Sequence, residues 1–236
     1  MSKSLSNDRQ PIQHSLWSQG RPPAAADLRS SLSTVRFACL PSTAPSPRQR
    51  WDDRYANLLP QDRLELTPFV AACLPQLPRQ GHALDIAAGA GRHSLALAQH
   101  GLQVDAVDIS VQGAHLAHQR AIEARLTPAQ IRFIVADLER PWLPQRGYDV
   151  ILVSFFLYRP LFPLIKERLR LGGWLVYETF TTTQELNSNH QPMRCDFLLE
   201  PQELKEVFAN FEILFYDEAD HAGRATAQLL ARKVAS

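Results

Sequence analysis

The segment Ala83-Leu-Asp-Ile-Ala-Ala-Gly-Ala-Gly-Arg92, followed by Val104-Asp-Ala-Val-Asp108, leaves few folds open to this chain. It reads as an apolar strand over residues 82–87, a turn of residues with almost no side chain, a helix over 92–100 and a second strand over 103–108. Two parallel strands cannot be joined by a tight turn, so a strand–turn–helix–strand unit implies a parallel sheet. Ala88-Gly-Ala-Gly91 lets a ligand lie close against the backbone, and the helix behind it offers unpaired N–H groups. Asp108, ending the second strand, is placed to accept from both hydroxyls of a ribose. Together these features point to an adenosine-containing ligand at the carboxyl edge of the sheet.

The same rhythm continues along the chain. Residues 64–77 read as a helix despite Pro68 and Pro75, and Ser110 caps a helix running to about residue 126. Strands are expected over 131–138, 148–156 and 174–180, with a helix over 160–171 that stops at Gly172-Gly173. Strands separated by helical crossovers give an α/β fold with helices on both faces of the sheet. The tail differs: after a helix over 201–210, strands over 211–216 and 225–234 are joined by a short turn at Asp220-His-Ala-Gly-Arg224. That is an antiparallel hairpin, an ending unusual for nicotinamide-binding Rossmann domains.

Length and charge set further bounds. The 236 residues suit one α/β domain, residues 51–236, behind a basic Ser/Pro-rich extension, residues 1–50, expected to be disordered. The extension is Arg- and Ser-rich and acid-poor, a composition shared with organelle transit peptides. A net charge of +1 does not suit a broad nucleic-acid footprint, and no apolar run nears the ~18 residues of a membrane span. Cys39, Cys73 and Cys195 have no zinc or disulfide spacing, so reduced thiols in a cytoplasmic protein are expected. His115 and His118, three apart on one helix, lack a nearby carboxylate or cysteine partner, and no metal site is expected.

Several motifs occur in a fixed order: Trp51-Asp-Asp-Arg-Tyr-Ala56, Leu84-Asp-Ile-Ala-Ala-Gly-Ala-Gly-Arg-His93, Val107-Asp-Ile-Ser110, Ala136-Asp-Leu138, Leu157-Tyr-Arg-Pro160, Tyr177-Glu-Thr-Phe180 and Phe197-Leu-Leu-Glu-Pro-Gln-Glu-Leu204. On these, residues 51–235 resemble the class I S-adenosylmethionine-dependent methyltransferases, most of all the small bacterial group related to tellurite-resistance methyltransferases. The resemblance implies a seven-stranded Rossmann-like sheet of order 3-2-1-4-5-7-6 with strand 7 antiparallel. It also implies S-adenosylmethionine as methyl donor and a small-molecule methyl acceptor. By the same resemblance Asp85 helps hold the methionine amino group, and Gly89 and Gly91 let the ligand lie on the turn. Asp108 binds the ribose, and Ile109 packs on the adenine. Asp137, between Ala136 and Leu138, accepts from the adenine amino group, and Ser154 faces the methionine portion. Ala87 stands where glycine is usual, and Ser154 where asparagine is common.

Methyl transfer from a sulfonium mainly needs alignment, and a general base only where the acceptor must lose a proton. Thiols, selenium or tellurium oxyanions and small carboxylates are therefore candidate acceptors. The segment Ser154-Phe-Phe-Leu157 does not match the Asn/Asp-Pro-Pro-Tyr loop used on nucleobase amino groups. Tyr158 and Arg159 follow the fourth strand and Glu178 ends the fifth, which makes these three the catalytic candidates. Arg54 and Tyr55 are expected to form a clasp over the cofactor, and His93 to touch its carboxylate or simply start the helix. His190 and Arg194 lie in a loop expected as a lid. Two other readings fit the same turn: a nicotinamide-dependent oxidoreductase, and a catalytically silent cofactor-binding scaffold.

Overall fold

The structure is a computed structural model that describes residues 45–59, 65–184, 194–221 and 223–235. A single sheet organises them, in the order β3-β2-β1-β4-β5-β7-β6. Its strands are β1 (His82–Ile86), β2 (Gln103–Asp108), β3 (Ile131–Val135), β4 (Tyr148–Ser154), β5 (Leu169–Phe180), β6 (Glu212–Asp220) and β7 (Ala225–Arg232). Strands β1 to β5 pair in parallel, and β7 runs antiparallel to both β5 and β6. This is the expected order, with the terminal hairpin supplying the reversed strand.

Alternation along the strands sends side chains to two cores. On one face Leu84, Ile86, Ile151, Val153, Leu175 and Tyr177 pack with α5 (Phe162–Arg168) and α6 (Glu203–Val207). On the other Ala83, Val104, Val150, Leu152 and Val176 meet α2 (Pro68–Cys73) and α3 (Arg92–His100), with Ala121 of α4 (Val111–Glu123). Strands buried on both faces explain why β1 and β4 are apolar runs and not alternating ones.

Several boundaries differ from the sequence reading, each for a local reason. The helix expected from residue 64 begins at Pro68, because proline lacks an N–H and fits only the first turn. Thr67 caps it, accepting from the Val70 N–H. Strand β5 starts at Leu169 and runs through Gly172-Gly173, where Gly172 has φ +78; the register with β4 shifts between Leu169 and Trp174, and pairing resumes at Trp174. The strands expected to reach residues 138 and 156 stop at Val135 and Ser154. The helix expected to reach residue 126 ends at Glu123. A helix α1 (Pro47–Ala56) starts inside the stretch read as extension, with Ser46 as cap and Pro47 in the first turn. Residues 1–44, and His190 with its loop, lie outside the described residues.

Candidate active site

Period two along β1, β4 and β5 continues past the apolar core into polar residues at the strand ends. Asp85 follows Ala83, Ser154 follows Leu152 and Glu178 follows Val176, so all three face α2 and α3. Ser154 and Glu178 are register partners on adjacent strands. The Ser154 hydroxyl donates to Glu178 Oε1 at 2.8 Å, and the Thr67 hydroxyl donates to the same oxygen. The Ser94 hydroxyl donates to Asp85 Oδ2 at 2.5 Å. Burial, only partly opposed by that bond and by Arg92, pushes the Asp85 carboxyl up to about 7. Burial raises Glu178 as well, against the pull of its two hydroxyl donors and of Arg92 and Arg224. His93 is driven down to about 3 by burial and by Arg92, so its ring is neutral, and its Nε2 accepts from the Thr67 N–H at 3.4 Å.

Above this floor the chain turns sharply. Ala87, Gly89 and Gly91 all have positive φ, at 59°, 56° and 79°. A Cβ on Gly89 would stand 2.3 Å from the Tyr55 hydroxyl oxygen, so only glycine fits there. Asp108 fixes the turn: Oδ2 accepts from the Gly89 N–H and Oδ1 from the Ser110 N–H, each at 2.8 Å. One carboxylate thus ties the glycine-rich turn to the start of α4. It keeps unused lone pairs on both oxygens for a further donor. Ser110 caps α4 as expected, its hydroxyl accepting from the Gly113 N–H at 2.9 Å.

Helix α1 closes the outer side. Its Asp52 accepts from the Ser110 hydroxyl at 2.6 Å and from the Gln112 N–H at 3.0 Å. Trp51 stacks on Tyr55 at 6.0 Å, and the Arg54 guanidinium sits 5.3 Å from the Trp51 ring centre. Burial, with Asp108 nearby, pushes the Tyr55 phenol up to about 12, so it is a neutral donor.

Between α1, the turn and the strand ends lies a crevice of about 260 Å³. Of the residues singled out from the sequence, Arg54, Tyr55, Ala87, Gly89, Asp108, Ile109, Asp137, Leu138 and Ser154 line it, and His93 does too. Asp85 and Glu178 lie one layer deeper, 1% and 2% exposed. Gly91 works in packing, since a Cβ there would press on Ala117 and Leu95 at 2.7 and 2.8 Å. Ala136 is held behind the wall, its N–H donating to the Asp108 carbonyl at 2.8 Å. Tyr158 packs against the core on the α5 side. Arg159 forms a two-pronged pair with Glu203 at 2.6 and 2.7 Å and donates to the Leu198 carbonyl at 2.9 Å. Arg194 pairs with Asp196 at 2.8 Å. His118 meets the edge of Phe133, and among the described residues no three His, Cys, Asp or Glu side chains gather to hold a metal.

The crevice wall also contains residues that sequence reasoning did not single out: Leu58, Glu139, Arg92, Phe155 and Phe156. Phe155 is held at φ +55 by the end of β4, with its N–H donating to the Glu178 carbonyl at 2.8 Å. No sequence signal marks a phenylalanine in that conformation. Thr67 was also missed, although Thr followed by Pro is a helix-start signature, as is Ser46-Pro47 before α1.

The arrangement supports binding of a nucleoside. Backbone without side chains, a carboxylate with spare lone pairs and a neutral phenol surround one open slot. Residues 83–171 match the methyltransferase domain family. A search of curated proteins finds no significant match. Among solved structures, TehB from Haemophilus influenzae is similar at 22% identity and TM-score 0.62, over 78% of this chain and 67% of that one. A SAM-dependent methyltransferase from Methanosarcina mazei matches at 18% identity and TM-score 0.55, over 73% and 100%. Magnesium protoporphyrin IX methyltransferase from Synechocystis PCC 6803, with bound SAH, matches at 20% identity and TM-score 0.55, over 70% and 79%. Residues 83–171 thus match a methyltransferase domain, and the fold is the one seen in the solved S-adenosylmethionine-dependent methyltransferases.

Proposed function

We propose that this protein transfers a methyl group from S-adenosylmethionine to a small-molecule acceptor bound beside Ser154 and Phe155. The observation that carries the reading is the Asp108 clamp. A buried carboxylate organises the glycine-rich turn at the strand ends and still has capacity to accept from ribose hydroxyls. The cradle fits the nucleoside: Gly89 leaves no Cβ in the slot, and Ile109 and Leu138 give apolar surface on which an adenine can lie. Asp137 lines the same end and can accept from its amino group. Asp85, behind the turn, favours the cationic amino end through its charge.

S-adenosylmethionine supplies a methyl group already attached to a good leaving group. The chain's own contribution is alignment and exclusion of water, with α1 covering the outer side. Ser154 lies at the wall with its hydroxyl tied to Glu178, so this couple can orient an acceptor or pass on its proton. Glu178 thus acts through Ser154. Arg159, committed to Glu203 and to backbone carbonyls, positions the chain after β5. Tyr158 packs beside it. The acceptor class is a thiol, a selenium or tellurium oxyanion, or a small carboxylate.

Isothermal titration with S-adenosylhomocysteine and with NADH tests the reading. Tight binding of the first and none of the second is expected, and the reverse would reject it. Turnover with a panel of thiol, selenite, tellurite and carboxylate acceptors then separates an enzyme from a silent scaffold, which would bind the nucleoside and transfer nothing.

A further inference from the structure

Two guanidinium groups converge on one aromatic ring at the acceptor end of the crevice. Arg92, in the first turn of α3, lies 5.8 Å from the Phe155 ring centre, and Arg224, from the β6–β7 turn, lies 5.2 Å from it. Phe180 stacks on the same ring at 5.0 Å. The segments are remote in sequence, and only the fold unites them. Burial holds the Arg92 guanidinium below its ordinary value, and the Arg224 charge nearby acts in the same direction. Arg92 is half-buried and Arg224 exposed, and two like charges gathered at one ring favour an anion beside them. Among the described residues neither guanidinium has a hydrogen bond or ion pair through its side chain. Glu178 attracts both cations and Asp85 attracts Arg92 through space, but the hydrogen bonds of these acids go to Thr67 and Ser154 and to Ser94.

Stacking against a ring leaves the N–H edges of a guanidinium unobstructed, and that planar fork matches the two oxygens of a carboxylate. The surroundings select further. Phe155 and Phe156 line the crevice next to Ser154, so whatever anion sits on the arginines has apolar surface beside it. A small hydrated oxyanion gains nothing from two phenyl rings, whereas a carbon skeleton is stabilised by contact with them.

We propose that Arg92 and Arg224 bind the carboxylate of a small organic acceptor whose apolar body lies along Phe155 and Phe156. Its reacting end then faces Ser154. This rests on the methyl-transfer reading of the crevice. It also explains why the reversed hairpin matters for function, since the β6–β7 turn delivers half of the anion grip.

The test uses benzoate and selenite as probes, titrated into the full chain with and without saturating S-adenosylhomocysteine. Benzoate is expected to bind alongside the nucleoside. Arg224→Met should weaken benzoate roughly tenfold or more, the loss expected for a hydrogen bond to a charged group, while nucleoside affinity is kept. Arg224→Lys, which retains charge without the fork, should fall between the two. Thermal unfolding of each variant checks that the exposed turn is intact. Competition between benzoate and S-adenosylhomocysteine would overturn the inference, because the arginines would then hold the nucleoside's own carboxylate. So would selenite binding as tightly as benzoate, no benzoate binding at all, or an unchanged affinity in Arg224→Met. Failure of S-adenosylhomocysteine to bind would strike the methyl-transfer reading instead, and benzoate on the free protein would still decide the subsite.

Discussion

Replacing Asp108 with alanine should damage stability and nucleoside binding by separable amounts. In the free protein each carboxylate oxygen satisfies one backbone N–H, from Gly89 and from Ser110. A buried N–H left without a partner costs about 1–3 kcal/mol, so two would cost about 2–6 kcal/mol. Two effects pull that down. Asp108 borders the open crevice, so water can reach the freed N–H groups. Its carboxyl is also raised by burial, so removing it relieves some desolvation. The lower end, about 2–3 kcal/mol, is therefore expected from urea unfolding without ligand. Loss of the ribose bonds should then weaken S-adenosylhomocysteine by a further ~1.5–3 kcal/mol, or roughly 10- to 150-fold, by calorimetry. Asp108→Asn keeps one acceptor and turns a donor toward the other N–H, so its stability should lie between wild type and alanine. Unchanged nucleoside affinity in Asp108→Ala would reject the ribose role. Unchanged stability would reject the clamp.

Ala87→Gly should stabilise the protein by up to about 1 kcal/mol in urea unfolding, since relief of the +59° φ outweighs the extra entropy of an unfolded glycine; destabilisation would show that the Ala87 methyl packs usefully. Arg159→Met should cost about 1–2 kcal/mol of stability, the Glu203 pair being partly screened by solvent, with nucleoside affinity unchanged by calorimetry. Asp85 is raised in the folded state, so the folded protein binds the extra proton: its stabilising contribution is full below about pH 4 and is lost as pH rises toward about 7. Asp85→Asn, which still accepts from Ser94, should flatten that slope in unfolding measured from pH 4 to 8, and an unaltered slope would discredit the burial argument. Removal of residues 1–44 should leave nucleoside affinity intact, whereas removal through Ala56 takes away Asp52 and Tyr55 and should weaken it markedly.

Features written in neighbouring residues were readable from the chain alone. The turn over 87–91, Asp108, the Ser110 cap and the terminal hairpin follow from patterns spanning a few residues each, whereas the strand order came from the family resemblance that the motifs carry. Features made by tertiary convergence were not. Phe155, Arg92 and Arg224 come from three separate elements, and neither spacing nor composition brings them together. Arg159 follows the fourth strand, where a catalytic candidate is expected, but Glu203 claims its fork. Asp85 and Glu178 were legible as strand-end acids, but not the hydroxyls of Ser94 and Thr67 that hold them beneath the wall. Helix α1 escaped because none of its residues is buried, and its Trp51–Tyr55 pair is too short a patch among polar residues to read as an apolar stripe.

That last property bears on timing. Since α1 has no buried residue of its own, lifting it uncovers little greasy surface and chiefly undoes the Asp52 contacts and the Tyr55 seat over Gly89. Such a segment belongs to the easily opened end of a protein's stability range. The doorway over the slot can swing while the sheet beneath it stays shut.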